Sequence, residues 1–156
     1  MSFDTPEGTR GAQLPPAEQM RRMNEDVIAD IRAGGSGPDG MNALVLVTVG
    51  RKSGQERQTP VAYFPLDGDS YAIVASAAGA ARHPVWYRNL AAAPDRVRVV
   101  VAGEELAVTA EELAGGERDR VWARITAAAP GFAEYERATD RTIPVIRLLP
   151  KGHGED

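Results

Sequence analysis

The segment ALVLVTVGRKSGQERQTPVAYFPL, residues 43–66, contains two strand-like runs separated by a polar segment. Its first seven residues form a nearly unbroken apolar run, which is typical of a strand covered on both faces. A second strand-like run extends from Thr59 to Leu66. Between the two runs lies the polar, glycine-containing segment Gly50–Arg57. We therefore predict two strands joined by a charged loop.

Four further strand-like runs follow along the chain. Turn signals at Asp67-Gly68-Asp69 and at Ala102–Glu105 indicate antiparallel hairpins. Six strands with short connections predict a closed or nearly closed antiparallel barrel, because closure removes exposed sheet edges. No GxGxxG follows a strand, which argues against a doubly wound fold. The four runs are Tyr71–Ser76, Arg96–Ala102, Leu106–Glu111 and Ile143–Leu149.

Apolar residues at helical spacing predict an N-terminal helix and two or three short helices, which makes the fold class α+β. Residues 1–16 are polar and rich in Gly and Pro, and we expect a flexible arm there. Residues 17–150 are expected to form one domain, and residues 151–156 a polar tail. The predicted helices are an N-terminal one at Ala17–Ala33 and short ones at His83–Ala93, Glu117–Ala128 and Gly131–Ala138.

The composition excludes several classes of function. The chain of 156 residues has no cysteine and two histidines, which argues against thiolate or histidine-rich metal sites. Its formal net charge of −4 argues against sequence-independent binding of nucleic acid. No apolar run reaches the ~20 residues needed to cross a bilayer, and the polar N-terminus does not read as a signal peptide. We therefore expect a cytoplasmic protein.

The loop Gly50–Arg57 is the first candidate site. It holds three cations and one acid in eight residues, with glycines that allow backbone N–H groups to turn toward an anion. Arginine offers a planar fork to phosphate or carboxylate. The loop is therefore either an anion-binding site or a charged, solvated hairpin tip.

Three other segments have both a functional and a purely structural interpretation. The small residues of Val74–Pro84 suit the approach of a flat ring, or form a plain strand-to-helix loop. Trp86–Leu90 offers stacking and polar groups, or core residues. Pro130–Tyr135 places two aromatics on one helical face, as a substrate wall or as packing. No convincing Ser/His/Asp set is present, so an enzyme would need a bound cofactor.

Three strings resemble the deazaflavin-dependent nitroreductase family. They are GRKSGQERQTPVAYF, VASAAGAARHPVWYRNL and AAAPGFAEYERATDRTIPVIRL, and the similarity spans about residues 43–150. The resemblance implies a split β-barrel like that of flavin-binding pyridoxamine-phosphate oxidases. It also implies coenzyme F420, a deazaflavin with a phosphate and an oligoglutamate tail, which transfers a hydride from ring carbon C5.

The resemblance also implies roles for individual residues. The anionic tail would lie on the first loop, and the ring would lie near Pro60 and the segment after the third strand. Ser76 and Tyr135 would be catalytic, and Tyr63, Phe132 and Tyr135 would contact the substrate. The implied cofactor-binding residues are Arg51, Lys52, Ser53, Gly54, Arg57, Pro60, Ala75, Ser76, Ala77, Trp86 and Asn89.

The resemblance is weaker on the substrate side. Family members that reduce bicyclic nitroimidazoles carry several tyrosines around the substrate pocket, whereas this chain has Ala62 and Ala129 at such positions. We therefore expect a quinone, enone or nitroaromatic as hydride acceptor. Two alternatives remain: an FMN-dependent oxidoreductase on the same barrel, and a non-catalytic F420 carrier. The partner is a small molecule, and the protein is a monomer or a homodimer. A lipid quinone would bring the first helix to a membrane surface, although the acidity of that helix disfavours it.

Overall fold

The structure, a computed structural model, describes residues 3, 5–12, 16–37, 42–66, 68–76 and 79–151. Within these residues it contains six antiparallel strands that close into a barrel in the order β1-β2-β3-β6-β5-β4. This confirms the predicted barrel of six antiparallel strands. The strands are β1 (Ala43–Val49), β2 (Glu56–Pro65), β3 (Tyr71–Val74), β4 (Val97–Val101), β5 (Glu104–Glu112) and β6 (Val145–Pro150).

Four helices surround or cap the barrel in the described residues, as the periodicity predicts. The predicted bounds of α4 are those observed, and those of the other helices differ by one or two residues at an end. The helices are α1 (Ala17–Arg32), α2 (Val85–Ala92), α3 (Gly115–Ala128) and α4 (Gly131–Ala138).

Strand β1 is buried on both faces, which explains its unbroken apolar sequence. Leu44 and Leu46 point into the barrel, where they belong to the inner core with side chains of β3, β4, β5 and β6. Val45 and Val47 face outward and pack against α1. Strand β1 pairs with β2 on one side and β4 on the other, and so anchors the barrel.

The outer face formed by β2, β3 and β6 is covered by α3 and α4. Trp122 and Ile125 of α3 and Phe132 of α4 are buried there. They cover Ala72 and Val74 of β3, which point away from the barrel interior. The apolar stripe of each helix therefore supplies half of this second core.

Helix α2 caps one end of the barrel. Trp86, Tyr87 and Leu90 belong to the same core as the inward-facing strand residues. Leu90 has no exposed surface, and Trp86 is 7% exposed. The interpretation of Trp86 and Leu90 as core residues therefore agrees with their positions.

Prolines account for two shifts of element boundaries. Strand β6 begins at Val145 instead of Ile143, because Pro144 has no N–H to donate to a neighbouring strand. Helix α2 begins at Val85, because Pro84 is extended with ψ at 154° and precedes the helix. Strand β3 ends at Val74, two residues earlier than predicted, and the chain then leaves the sheet.

The arm at residues 1–16 is expected to be flexible, but its described part lies against the domain. Gly8 N donates to Ala81 O at 2.9 Å, and Ala12 N donates to Gly79 O at 3.0 Å. A Cβ on Gly11 would lie 2.3 Å from Ala81 N, so the two backbones approach too closely for any other residue. The composition gave no sign of these contacts, because they are made by the backbone with residues about 70 positions away.

Several predicted segments lie partly outside the described residues. They are the arm, without residues 1, 2, 4 and 13–15, the segment Val74–Pro84, without residues 77 and 78, the β2–β3 turn, without Asp67, and the tail, without residues 152–156. The β4–β5 turn is described, and Ala102 and Gly103 both have positive φ, as a two-residue hairpin turn requires. In the part of the chain that the structure describes, no helix is long and apolar enough to span a bilayer.

Candidate active site

The β1–β2 hairpin holds the charged loop in a tight turn. Gly50 N donates to Gln55 O at 2.7 Å, and Gly54 N donates to Gly50 O at 2.8 Å. Gly54 has φ at +72°, a conformation that favours glycine. A Cβ on Gly50 would lie 2.7 Å from Ser53 Oγ and 3.2 Å from Gln55 O, so a larger residue there would displace the Ser53 side chain.

The three cations of the hairpin, Arg51, Lys52 and Arg57, are exposed. None of them forms an ion pair among the described residues, whereas Arg98 nearby is paired with Glu56 and Glu105. Unpaired cations on a turn with few acids produce a local positive potential on a chain that is acidic overall. The hairpin is therefore suited to bind an anion.

Asn89 of α2 holds this hairpin in place through two hydrogen bonds. Its Oδ1 accepts a hydrogen bond from Arg51 N at 3.1 Å, and its Nδ2 donates to Thr48 Oγ1 at 3.2 Å. Asn89 and Thr48 are 3% and 1% exposed. Both polar atoms of the Asn89 side chain are thus hydrogen-bonded within the protein, and they position the hairpin.

A groove of about 520 Å³ runs between the hairpin, α2 and the arm. This volume lies within the range of sites that bind small molecules and cofactors. Of the described residues that the sequence predicts for the site, Arg51 alone lines the groove. The other lining residues are Phe3, Thr5, Glu7, His83, Tyr87, Arg88, Ala91 and Ala92. A smaller cavity of about 250 Å³ lies beside β1 and β4 and contains both acids and bases.

Sequence reasoning missed a polar network in the wall of this groove. Glu7 of the arm pairs with Arg88 of α2, and that hydrogen bond lowers the pKa of the Glu7 carboxyl. Tyr87 Oη donates to Glu112 Oε1 at 2.7 Å. Burial, together with this bond to Glu112, raises the pKa of the Tyr87 hydroxyl. Residues so far apart in sequence leave no spacing signal.

The segment after β3 is held by a second missed group, Arg141. Ala75 has no exposed surface, and Ser76 is 8% exposed. The guanidinium of Arg141 donates to backbone carbonyls on both of these residues, at 3.0 and 2.6 Å. Ala77, which the sequence also predicts for the cofactor site, lies outside the described residues.

Ser76 and Tyr135 are brought to the same neighbourhood. Gly79 N donates to Ser76 O at 2.8 Å. A Cβ on Gly79 would lie 3.0 Å from Tyr135 O, so α4 packs directly on this turn. Phe132 lies next to Tyr135 with the two rings perpendicular and their centroids 5.5 Å apart.

The predicted substrate wall does not form as one surface. Tyr63 lies on the inner face of β2 with Tyr71, and their ring centroids are 5.3 Å apart. Phe132 packs on the outer face against Phe64, at 5.7 Å. Alternation along a strand places neighbouring residues on opposite faces, which explains why Tyr63 is separated from Phe132. Pro60 is partly buried, pairs with Val45 and does not line the groove.

The family of this chain is identified by its similarity to known proteins. The model of the F420H2-dependent quinone reductase family matches residues 20–150. An F420H2-dependent quinone reductase of Mycobacterium tuberculosis is 39% identical over 114 residues, covering 71% of this chain and 75% of that protein. This chain belongs to the F420H2-dependent quinone reductase family.

Solved structures agree with this membership. An F420-H2 dependent reductase superposes with a TM-score of 0.61 at 39% identity and covers 68% of this chain and 92% of its own. A structure described as a domain-swapped dimer has a TM-score of 0.64 at 34% identity, with coverages of 86% and 99%. The expected family, the split barrel, the class of F420-dependent oxidoreductases and the cofactor are thereby confirmed.

The residues of this F420H2-dependent quinone reductase family member fit an anionic cofactor. The unpaired hairpin cations match a phosphate and carboxylate tail, and the groove beside them is large enough for a ring system. No cluster of three or more potential metal ligands occurs among the residues that the structure describes.

Proposed function

We propose that this protein reduces a quinone with coenzyme F420, holding the anionic tail on the β1–β2 hairpin. The observation that carries the proposal is the set of unpaired, exposed cations Arg51, Lys52 and Arg57 beside a groove of about 520 Å³. When bound, the reduced coenzyme supplies a hydride. The chain's own residues must then bind, orient and shield the reacting groups.

Binding of the tail falls to the hairpin in this proposal. Arginine and lysine side chains contribute charge-assisted hydrogen bonds, and Ser53 and Gly54 provide a polar turn with a compact backbone. Asn89 contributes indirectly, because it fixes the backbone at Arg51. A preformed hairpin loses little conformational entropy when the ligand binds.

Orientation of the ring falls to the segment after β3. Ala75 and Ser76 are small and buried, so in this proposal the ring lies against the surface of their turn, and the packing of Ala75 with Trp86 and Leu90 in the barrel core makes that support rigid. Ser76 and Tyr135 each carry a hydroxyl that can polarise an acceptor or move a proton. Support for this pairing is that the backbones of both residues lie next to Gly79, Ser76 O as the acceptor of Gly79 N and Tyr135 O at 3.0 Å from the position of a Cβ on that glycine.

A quinone is the preferred acceptor because the family and the mycobacterial relative carry that activity in their names. Tyr135, which is partly buried on α4, offers an aromatic ring for it, whereas Phe132 is buried under that helix. Enones and nitroaromatics are the other acceptors to compare. Because one solved relative is described as a domain-swapped dimer, a homodimer is the assembly state to test. Light scattering of the purified protein measures it.

The proposal is tested by fluorescence titration of F420 into wild type and the Lys52→Ala/Arg57→Ala double variant. Two exposed ionic contacts contribute about 1–2 kcal/mol together, so the dissociation constant should rise about 5- to 30-fold. The affinity of the variant should also depend less on salt, because fewer charges remain to be screened.

The matched control is Arg124→Ala, which removes an exposed arginine on α3 without an ion pair among the described residues. It should leave the dissociation constant unchanged. An equal loss in the control, or no loss in the double variant, would refute the hairpin assignment. Tighter binding of FMN than of F420 to the wild type would refute the choice of cofactor.

Catalysis is tested separately with menadione as the quinone. Wild-type protein should consume reduced F420 in its presence, as followed by absorbance. Consumption with an enone or nitroaromatic but not with menadione would replace the quinone as acceptor. If F420 binds and no acceptor is reduced, the protein is a carrier of the coenzyme and the proposed reaction is wrong.

A further inference from the structure

The side chain of Arg141 is buried between the turn that follows β3 and His83, which precedes α2. Arg141 is 5% exposed, and its guanidinium makes four polar contacts. Nε donates to Ala80 O at 2.8 Å, Nη1 to Ala75 O at 3.0 Å and Nη2 to Ser76 O at 2.6 Å. Nη1 also lies 3.0 Å from His83 Nδ1. One planar group thus connects both ends of the turn that follows β3.

Arg141 has no ion-pair partner among the described residues, which is unusual for a buried cation. Burial lowers the pKa of the Arg141 guanidinium, and the negative charge of Glu7 opposes this effect only in part. Desolvation of a charge costs several kcal/mol, so a neutral side chain would be expected here if packing were the only requirement. The donors of Arg141 instead satisfy carbonyls that no strand can satisfy, since β3 has ended.

His83 completes the arrangement as a neutral acceptor. Its Nε2 lies 2.7 Å from Thr5 O, which can only accept, so Nε2 carries the proton and Nδ1 accepts from Arg141. Burial is the main cause that lowers the pKa of His83, and the charge of Arg141 lowers it further. The groups that act on the ring are Thr5 and Glu7 of the arm, Tyr87 of α2, Glu112 of β5 and Arg141.

We propose that Arg141 is a positioning residue for the hydride-transfer reaction: it fixes the backbone at Ala75, Ser76 and Ala80, against which the coenzyme ring is oriented. This inference rests on the proposed function, which assigns Ala75 and Ser76 to the ring. Arg141 acts through the backbone it holds and does not itself line the groove. Because hydride transfer is sensitive to displacements of about 1 Å, loss of this support reduces the rate more than it reduces affinity.

The test compares Arg141→Gln and Arg141→Lys with the wild type. Hydrogen–deuterium exchange on the coenzyme-free protein should accelerate at the amides of Ala75 and Gly79, which donate to Pro144 O and Ser76 O. Single-turnover oxidation of reduced F420 by menadione should slow at least tenfold with Gln. Lysine should restore the rate partly, because it keeps the charge but offers one donor atom instead of three. The dissociation constant of F420 should change about threefold or less.

The control is Arg147→Gln, which removes another partly buried arginine that contacts Glu111 and Glu117 instead of the turn. It should leave the rate and the exchange at Ala75 and Gly79 unchanged. If the Arg141 variants fail to fold, His83→Phe removes the Nδ1 acceptor of Arg141 together with the Nε2 hydrogen bond to Thr5 O, and we expect a threefold to fivefold slower single turnover.

Each outcome has a separate meaning. Normal turnover in the Arg141 variants overturns the positioning role, whether or not exchange at Ala75 and Gly79 changes. An equal slowing by Arg147→Gln also overturns it, because the effect would then reflect general destabilisation. Failure of the wild type to bind F420 refutes the proposed function itself, and this is distinguished by titration before any variant is made.

Discussion

At the scale of the residue, Asn89 shows how a single amide links two parts of the site. Both ends of its side chain are bonded, to Arg51 N and to Thr48 Oγ1, in a region almost without solvent. Buried polar groups that lose their partner keep the desolvation cost without the compensating bond. Asn89 is therefore a structural support of the hairpin whichever anion the hairpin binds.

A substitution at Asn89 tests this geometry. Replacing Asn89→Ala leaves Thr48 and the Arg51 amide without partners and should lower the free energy of unfolding by about 1–3 kcal/mol. Urea denaturation measures the change, and F420 titration should show weaker binding. Asn24→Ala on α1 is the matched control, because Asn24 is only partly buried, and a change within about 0.5 kcal/mol is expected there. A loss for Asn89→Ala no larger than in the control would contradict this account.

At the scale of the element, the arm at residues 5–12 behaves as part of the site wall. It donates to Ala81 O and Gly79 O, and Thr9 and Arg10 donate backbone hydrogen bonds to Asp140 at 2.8 and 2.9 Å. The close approach at Gly11 leaves no room for a side chain. The arm thus covers the turn after β3 from outside, while Arg141 holds it from within.

A substitution at Gly11 tests whether the arm is docked. In Gly11→Ala the new Cβ would lie 2.3 Å from Ala81 N, a backbone atom that cannot rotate away. The arm should detach at least locally, with a loss of about 1–3 kcal/mol in stability, as for an overpacked site. Thermal unfolding and limited proteolysis of the N-terminus provide the measurements.

Gly131→Ala is the control for this substitution. A Cβ at Gly131 meets nothing within 4 Å, and the residue opens α4, so alanine there should be neutral or stabilising. Equal melting temperatures for Gly11→Ala and wild type would indicate that the arm is not docked in solution.

At the scale of the whole molecule, closure of the barrel combines elements that are distant in sequence. Strand β1 pairs with β4, and β3 pairs with β6 about 70 residues later. This long-range pairing brings His83, Glu7, Glu112 and Arg141 around one end of the barrel, where α2 is inserted. The response of the molecule to acid is therefore expected to depend on that end.

Three groups contribute to the pH dependence of stability, and Glu7, whose pKa is lowered mainly by its hydrogen bond with Arg88, adds to the loss below about pH 4.5. The pKa of His83 is depressed from its ordinary 6.5, so the unfolded state takes up a proton first, and stability should fall as pH decreases below about 6.5. The pKa of Asp140 is lowered to about 2, mainly by the hydrogen bond from Thr9, so a second loss should occur between about pH 4 and pH 2. Urea denaturation as a function of pH measures both.

Variants assign the two steps. His83→Gln should flatten the dependence near pH 6, and Asp140→Asn should flatten it below pH 4. A wild-type stability that stays constant from pH 7 to pH 5 would show that His83 is not held neutral in the folded state.

Most of the fold is predictable from the sequence alone. The unbroken run Ala43–Val49, the turn at Ala102-Gly103 and the helical stripes gave the six strands and four helices, because these signals depend on neighbours a few residues apart. The hairpin cations were also visible, because they lie within eight residues. The family resemblance added the cofactor, which single residues could not have supplied.

The contacts between those elements are visible only in the tertiary structure. Periodicity does not reveal which face of β2 carries Tyr63, that Asn89 supports the hairpin, or that Arg141 satisfies carbonyls about 60 residues earlier. Such contacts depend on how the barrel closes, and residues that meet only through closure show no spacing in the chain. The sequence therefore determined the barrel and its cationic hairpin, and the fold alone determined the buried network beside that hairpin.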